Sequence, residues 1–170
     1  MRVNMSEQLA SLANEVVASI KGINIQNLRD KGDGAWTVAI KGALIDLGQK
    51  HDYQICTSSF PDECESEWLY DLVWYRKAPS GHLREIGLIL ESEWAKKVKG
   101  IQDDCEKLLV AKCPIKVMVF QDFKDTTVEQ IWSLLETGIR TFESEPTKDR
   151  YILVGFNNGK HEFEIKTVTA

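Results

Sequence analysis

The sequence predicts an α/β protein, with helices packed on the faces of a mixed β-sheet. Two observations predict this class. Apolar residues at helical spacing alternate along the chain with short apolar runs typical of strands. Turn residues also join two pairs of the expected strands closely enough to form hairpins. The 170 residues, of which 43% are hydrophobic and 28% charged, suit a single domain with its own core.

The expected elements follow the order α-α-β-β-β-α-β-α-β-β, and no internal repeat is visible. In chain order they are helices over residues 7–20 and between Asp33 and Gly48, strands over 53–57, 68–75 and 84–93, a helix over 101–112, a strand over 115–120, a helix opened by a capping box at 126–129, and strands over 151–156 and 161–168. Residues 1–32 are expected to be an N-terminal helix and connector, 33–120 a core, and 121–170 a C-terminal helix and hairpin.

Helix ends are indicated by residues that cap or break helices. Gly22 is expected to end the first helix and Gly48 the second. Asp33 is the expected N-cap of the second helix. Pro114 ends the third helix, and Thr126-Thr127-Val128-Glu129 fits the capping box of the fourth.

The strands are indicated by their turns and by their apolar runs. Pro79-Ser80-Gly81 lies between the second and third strands and predicts an antiparallel hairpin. Asn157-Asn158-Gly159-Lys160 predicts a second hairpin near the C-terminus. The continuous apolar run Ile115–Phe120 is typical of a central strand that is buried on both faces.

Composition excludes several classes of function. The net charge of −5 argues against a dedicated basic DNA-binding protein, although residues 76–124 carry ten Lys and Arg against seven Asp and Glu. The four cysteines lack the spacing of a zinc site, and the three histidines lie at expected turns or strand ends, which disfavours a catalytic triad. With no apolar run near ~20 residues and no signal-peptide core, the protein is expected to be cytoplasmic and away from membranes.

The most informative residues are acidic side chains on the two strands of the first hairpin. Asp71 lies on one strand, and Glu91 and Glu93 end the apolar run of the other. Because strand side chains alternate, Glu91 and Glu93 are expected to face the side of Gly87 and Ile89, with Ile86, Leu88 and Leu90 on the other side. Carboxylates that converge there repel one another strongly unless a cation binds between them.

From Asp33 to Phe120 the chain resembles the core of the PD-(D/E)xK nuclease superfamily, which has the restriction-endonuclease-like fold. That fold implies a three-layer sandwich, here with an extra N-terminal helix and a C-terminal β-hairpin. Asp71 corresponds to the family's strand aspartate and Glu91 to the acidic residue of the next strand. The position that usually holds lysine is Glu93, and Lys107 on the following helix is the expected substitute. The first core helix contains no glutamate, and Glu67 is a candidate replacement.

The resemblance implies a Mg²⁺- or Mn²⁺-dependent endonuclease that hydrolyses DNA, with Asp71, Glu91 and Glu93 as metal ligands. Lys107 or Glu93 would orient or deprotonate the attacking water. A homodimer is expected by analogy with nucleases that cut both strands of a duplex.

Two other functions remain open from the sequence. The first is a catalytically degenerate nuclease fold that acts as a DNA- or protein-binding or assembly module. The second is an interaction protein whose helix 7–20 packs on a partner. The residues themselves also have plainer interpretations: Lys107 pairs with Asp103 one turn earlier on its helix, and Glu93 is exposed beyond the strand end.

Overall fold

The structure is a computed structural model that describes residues 4–28, 31–60, 68–143 and 148–170. Its helices and strands, in chain order, are α1 Met5–Lys21, α2 Asp33–Lys50, β1 Gln54–Thr57, β2 Leu72–Lys77, β3 Leu83–Glu93, α3 Val98–Leu109, β4 Ile115–Gln121, α4 Val128–Thr141, β5 Arg150–Asn157 and β6 Glu162–Thr169, with a 3₁₀ turn at Ile25–Leu28 between the first two helices. Within the described ranges, no helix is long and apolar enough to cross a membrane.

The six strands form one mixed sheet in the order β1-β2-β3-β4-β5-β6. β1, β2 and β3 pair antiparallel, β3, β4 and β5 pair parallel, and β5 and β6 pair antiparallel. α3 connects β3 to β4, and α4 connects β4 to β5. These crossovers are needed because the chain must return to the end of the sheet where the first strand began before it can form a parallel neighbour. Both predicted hairpins are confirmed.

Helices cover both faces of the sheet and give it three layers. α1 and α2 pack on one face, around Trp74, Leu90 and Val117, while α3 and α4 pack on the other, around Ile89, Met118 and Phe120. Every residue of β4 is buried, which explains its continuous apolar run. The predicted fold class, an α/β three-layer sandwich with a mixed central sheet, is confirmed.

The predicted start and stop of α2 were wrong. The helix begins at Asp33, and Gly32 is its N-cap, with no side-chain capping bond. The helix continues past Gly48 to Lys50, because Gly48 allows a neighbouring side chain to pack closely and does not end the helix. A Cβ at Gly48 would lie 2.6 Å from Nε1 of Trp74.

The ends of α3 and α4 also differ from the prediction. α3 begins three residues earlier than expected, at Val98, and ends at Leu109, ahead of Lys112 and Pro114. The capping box of α4 is one residue later than predicted: Thr127 accepts from the backbone N–H of Gln130, whose side chain accepts from the backbone N–H of Thr127. Thr127 has the extended backbone that an N-cap requires, so the helix starts after it.

The apolar stripe of α1 is part of the core. Ala13, Val16 and Ile20 are buried in the cluster that α2 and the sheet share, and Ser19 Oγ donates to the carbonyl of Ala43 on α2, at 3.1 Å. These three residues of the stripe are covered within the chain, and the hypothesis that the helix also packs on a partner stays a prediction.

Candidate metal centre

Asp71 and Glu91 lie opposite each other at one end of the β2–β3 ladder. Leu72 pairs with Leu90, and Asp71 precedes Leu72 while Glu91 follows Leu90. The predicted strand 68–75 was wrong at its beginning, because residues 68–71 are irregular and β2 begins at Leu72. The predicted proximity of the two strands nevertheless places both carboxylates at the same end of the hairpin.

The carboxylate of Asp71 is held by Ser92, a residue that the sequence analysis did not single out. Asp71 Oδ2 accepts hydrogen bonds from Ser92 N at 2.8 Å and Ser92 Oγ at 2.6 Å. The backbone carbonyl of Asp71 accepts from Thr57 Oγ1 at 2.6 Å. These bonds attach the irregular segment to the ends of β1 and β3. The only signal in the sequence was the position of Ser92 between two acidic residues.

Glu91 is the most buried acidic residue of this group. It is 4% exposed, and its Oε1 has no hydrogen-bond partner among the residues that the structure describes. Burial, and next the nearby charge of Asp71, raises the pKa of Glu91 to about 7, while the charge of Lys107 opposes that rise. A buried carboxylate with an unsatisfied oxygen is costly unless a cation or a donor pairs with it.

Lys107 approaches Glu91 from α3. Its Nζ lies 3.7 Å from Glu91 Oε1 and 2.7 Å from Asp104 Oδ1. The hydrogen bond to Asp104 is the main cause that raises the pKa of Lys107, so this lysine stays cationic at neutral pH. The interpretation in which Lys107 pairs with Asp103 was wrong, because Asp103 binds Lys99 at 2.7 Å.

Glu93 makes contacts of its own beside the first turn of α3. Its Oε1 accepts from the backbone N–H of Ala95 at 2.7 Å, and its Oε2 would lie 3.0 Å from a Cβ at Gly100. The residue is half-buried, so the interpretation as an exposed strand end was wrong. Glu91 and Glu93 thus contact opposite ends of the same helix.

The predicted alternation of β3 holds only beyond a bulge. Leu88 and Leu90 belong to the α1–α2 side and Ile89 to the α3–α4 side, as predicted. Ile86 and Gly87 were predicted on the wrong sides, because the pairing register shifts between Trp74 and Tyr75 on β2. The bulge turns Gly87 toward the α1–α2 side, where a Cβ would lie 2.4 Å from the Tyr53 ring.

The residues present fit a metal only as a two-carboxylate site. Within the described ranges, no group of three or more His, Cys, Asp or Glu side chains is arranged to hold a metal ion. The orphaned Oε1 of Glu91, with Asp71 opposite, matches the one or two protein carboxylates that Mg²⁺ commonly takes. Glu67, the candidate replacement for the family's helix glutamate, lies outside the described residues.

Comparisons with known proteins add little to this geometry. No family model matches the sequence, and no curated protein matches it. Among solved structures, the chain is similar to NucC of Escherichia coli MS115-1 in its cAAA-bound form, with a TM-score of 0.43 and 10% identity over 99% of this chain and 85% of NucC. No functional conclusion follows from a likeness of this degree.

Proposed function

We propose that this chain is a divalent-metal-dependent nuclease that hydrolyses DNA phosphodiester bonds, with Asp71 and Glu91 as metal ligands. The observation that supports it best is the buried Glu91 carboxylate, which has Asp71 opposite and whose Oε1 lacks a hydrogen-bond partner within the described part of the chain. A cation would relieve the repulsion between the two carboxylates. Mg²⁺ or Mn²⁺ would complete its coordination with waters and phosphate oxygens.

The side chains around this pair suit charge stabilisation. A bound divalent cation supplies a water of lowered pKa and neutralises negative charge on the phosphate. Lys107, which stays protonated at neutral pH, donates hydrogen bonds to the phosphate or to the attacking water and does not accept its proton. Glu93, on the same strand, is the proposed proton acceptor.

Exposed lysines between β3 and α3 provide the proposed contact with the DNA backbone. Lys96, Lys97 and Lys99 are exposed, and they flank the turn that Glu93 contacts. Phosphate contacts of this kind supply most of the non-specific affinity for DNA and weaken as salt is added. A homodimer would present two such sites to a duplex. Light scattering would then give about twice the chain mass of 19.3 kDa.

A plasmid-nicking assay with Mg²⁺ or Mn²⁺ tests the proposal. Wild-type protein is expected to nick or linearise the plasmid, EDTA is expected to stop the reaction, and Glu91→Gln is expected to abolish it because the ligand loses its charge. Glu85→Gln is the matched control: it changes a carboxylate at the other end of β3, which binds Tyr53 and Arg76. Cleavage by Glu91→Gln at the wild-type rate would rule out this site.

A second function, a nuclease fold that binds without cleaving, is favoured by one feature of the site. The motif position that usually holds lysine is Glu93, and within the described ranges no three-ligand metal group is present. This alternative predicts no Mg²⁺ binding at millimolar concentration by isothermal titration calorimetry and no cleavage by the wild type. DNA binding in a gel-shift assay without cleavage would favour it over the nuclease.

A further inference from the structure

Asp104 and Lys107, which both belong to α3, form an ion pair at the candidate metal centre. The two residues are three positions apart on the helix, where side chains are neighbours. Asp104 Oδ1 lies 2.7 Å from Lys107 Nζ, and the Asp104 side chain is 16% exposed against 53% for Lys107. The aspartate is therefore the fixed member of the pair, and the long lysine side chain is the adaptable one.

The same ammonium stops short of Glu91. Lys107 Nζ forms an ion pair with Glu91 Oε1 at 3.7 Å, which is longer than a hydrogen bond, and that oxygen has no hydrogen-bond partner among the described residues. A buried carboxylate oxygen attracts a nearby ammonium, yet Lys107 makes its shorter contact, at 2.7 Å, with Asp104. The short bond to Asp104 is the restraint that the geometry offers.

We propose that Asp104 is a positioning residue that holds the Lys107 ammonium away from Glu91, so that Glu91 stays open to a divalent cation while Lys107 remains beside the site. This inference rests on the proposed function, because it assigns a role to Asp104 at the same metal centre. Without Asp104, Lys107 closes onto Glu91 Oε1 and competes with the metal for that oxygen.

Isothermal titration calorimetry of Mn²⁺ binding to the wild type and to four variants tests this role; the variants are Asp104→Asn, Lys107→Met, the two combined, and Asp103→Asn. Asp104→Asn is expected to weaken Mn²⁺ binding about tenfold. A change of this size lies within the range of interaction energies between residues in contact. Adding Lys107→Met to Asp104→Asn is expected to restore binding, since the competing ammonium is gone. Asp103→Asn is the matched control, because it removes the same charge from α3 at a residue that binds Lys99.

The comparison separates positioning from a direct effect of the Asp104 charge. The effect of Asp104→Asn is compared in the wild-type protein and in the Lys107→Met variant. If it weakens Mn²⁺ binding equally in both, Asp104 acts directly on the metal and the proposal is overturned. In the cleavage assay, Asp104→Asn is expected to raise the Mn²⁺ concentration that gives half-maximal rate. A loss confined to the saturated rate would also overturn it.

A metal-free measurement distinguishes failure of this inference from failure of the proposed function. Double-mutant cycles of Glu91→Gln and Lys107→Met on the unfolding equilibrium give the coupling between these two residues. We express this coupling as a factor in the equilibrium constant for unfolding. The factor is expected to be several-fold larger in protein that carries Asp104→Asn than in protein that does not. Equal coupling with and without Asp104→Asn overturns the positioning role, whereas absence of Mn²⁺ binding by the wild type overturns the proposed metal site.

Discussion

Ionisation of Glu91 works against folding. Burial and the charge of Asp71 raise its pKa from 4.5 to about 7, so the folded protein holds this proton more tightly than the unfolded chain does. The stabilisation is fully present below pH 4.5 and is lost as the pH rises through 7. A shift of this size corresponds to on the order of 3 kcal/mol.

Glu91→Gln is therefore expected to stabilise the metal-free protein at high pH. At pH 8 the free energy of unfolding should exceed that of the wild type by up to about 3 kcal/mol, and at pH 4 the two should agree. Urea unfolding at both pH values, in the presence of EDTA, measures the difference. A difference that does not change with pH would mean that Glu91 is not the group that titrates.

Ser92 supports the site by fixing Asp71. Ser92→Ala removes the 2.6 Å hydrogen bond to Asp71 Oδ2 and is expected to lower the free energy of unfolding by about 1 to 2 kcal/mol. Ser133→Ala is the control, since Ser133 binds a carbonyl on the exposed face of α4. Chemical denaturation of both variants checks the prediction, and equal effects would show that the bond to Asp71 adds nothing.

At the scale of elements, α4 packs on the sheet where Gly155 lies in β5. A Cβ at Gly155 would lie 2.3 Å from Val128 Cγ1 and 3.1 Å from Phe120 Cε2, so α4 approaches the sheet over a residue without a side chain. Gly155→Ala is expected to lower the free energy of unfolding by about 1 to 3 kcal/mol through overpacking. Thermal or urea unfolding measures this loss.

The control for that substitution lies on α4 itself. Gly138 is exposed, and no atom of the described residues lies within 4 Å of the position of a Cβ there. Gly138→Ala is expected to raise the free energy of unfolding by about 0.4 to 1 kcal/mol, because alanine restricts the unfolded chain without a clash. If both substitutions destabilise the protein to the same degree, the close approach of α4 over Gly155 is not the cause.

At the scale of the whole molecule, α1 completes one of the two cores. Deleting residues 1–22 removes Ala13, Val16 and Ile20 from the cluster with α2 and the sheet, and also removes the contact of Glu15 Oε2 with His51 Nε2 at 3.0 Å. The shortened chain is expected to lose several kcal/mol of stability. Near-ultraviolet circular dichroism and urea unfolding measure the change, and an unchanged midpoint would show that α1 is dispensable for folding.

The sequence by itself determined the class of fold and the region of the candidate site. Helical and strand periodicities report which face of an element is buried, so the order of elements and the buried run Ile115–Phe120 were predictable. The strand-turn-strand signal was enough to bring Asp71 and Glu91 to the same end of one hairpin. These features were predictable because each depends on a local residue pattern or on a short connection, and so on residues that are close together in the sequence.

Only the tertiary structure decided which side chains meet. Lys107 contacts Glu91 because α3 packs along β3, and Ser92 holds Asp71 because β2 and β3 pair with Leu72 opposite Leu90. The bulge at Gly87 and the burial of the α1 stripe likewise depend on the partners that pack there. Periodicity identifies a buried face, but the partner of that face is set by packing between segments distant in sequence.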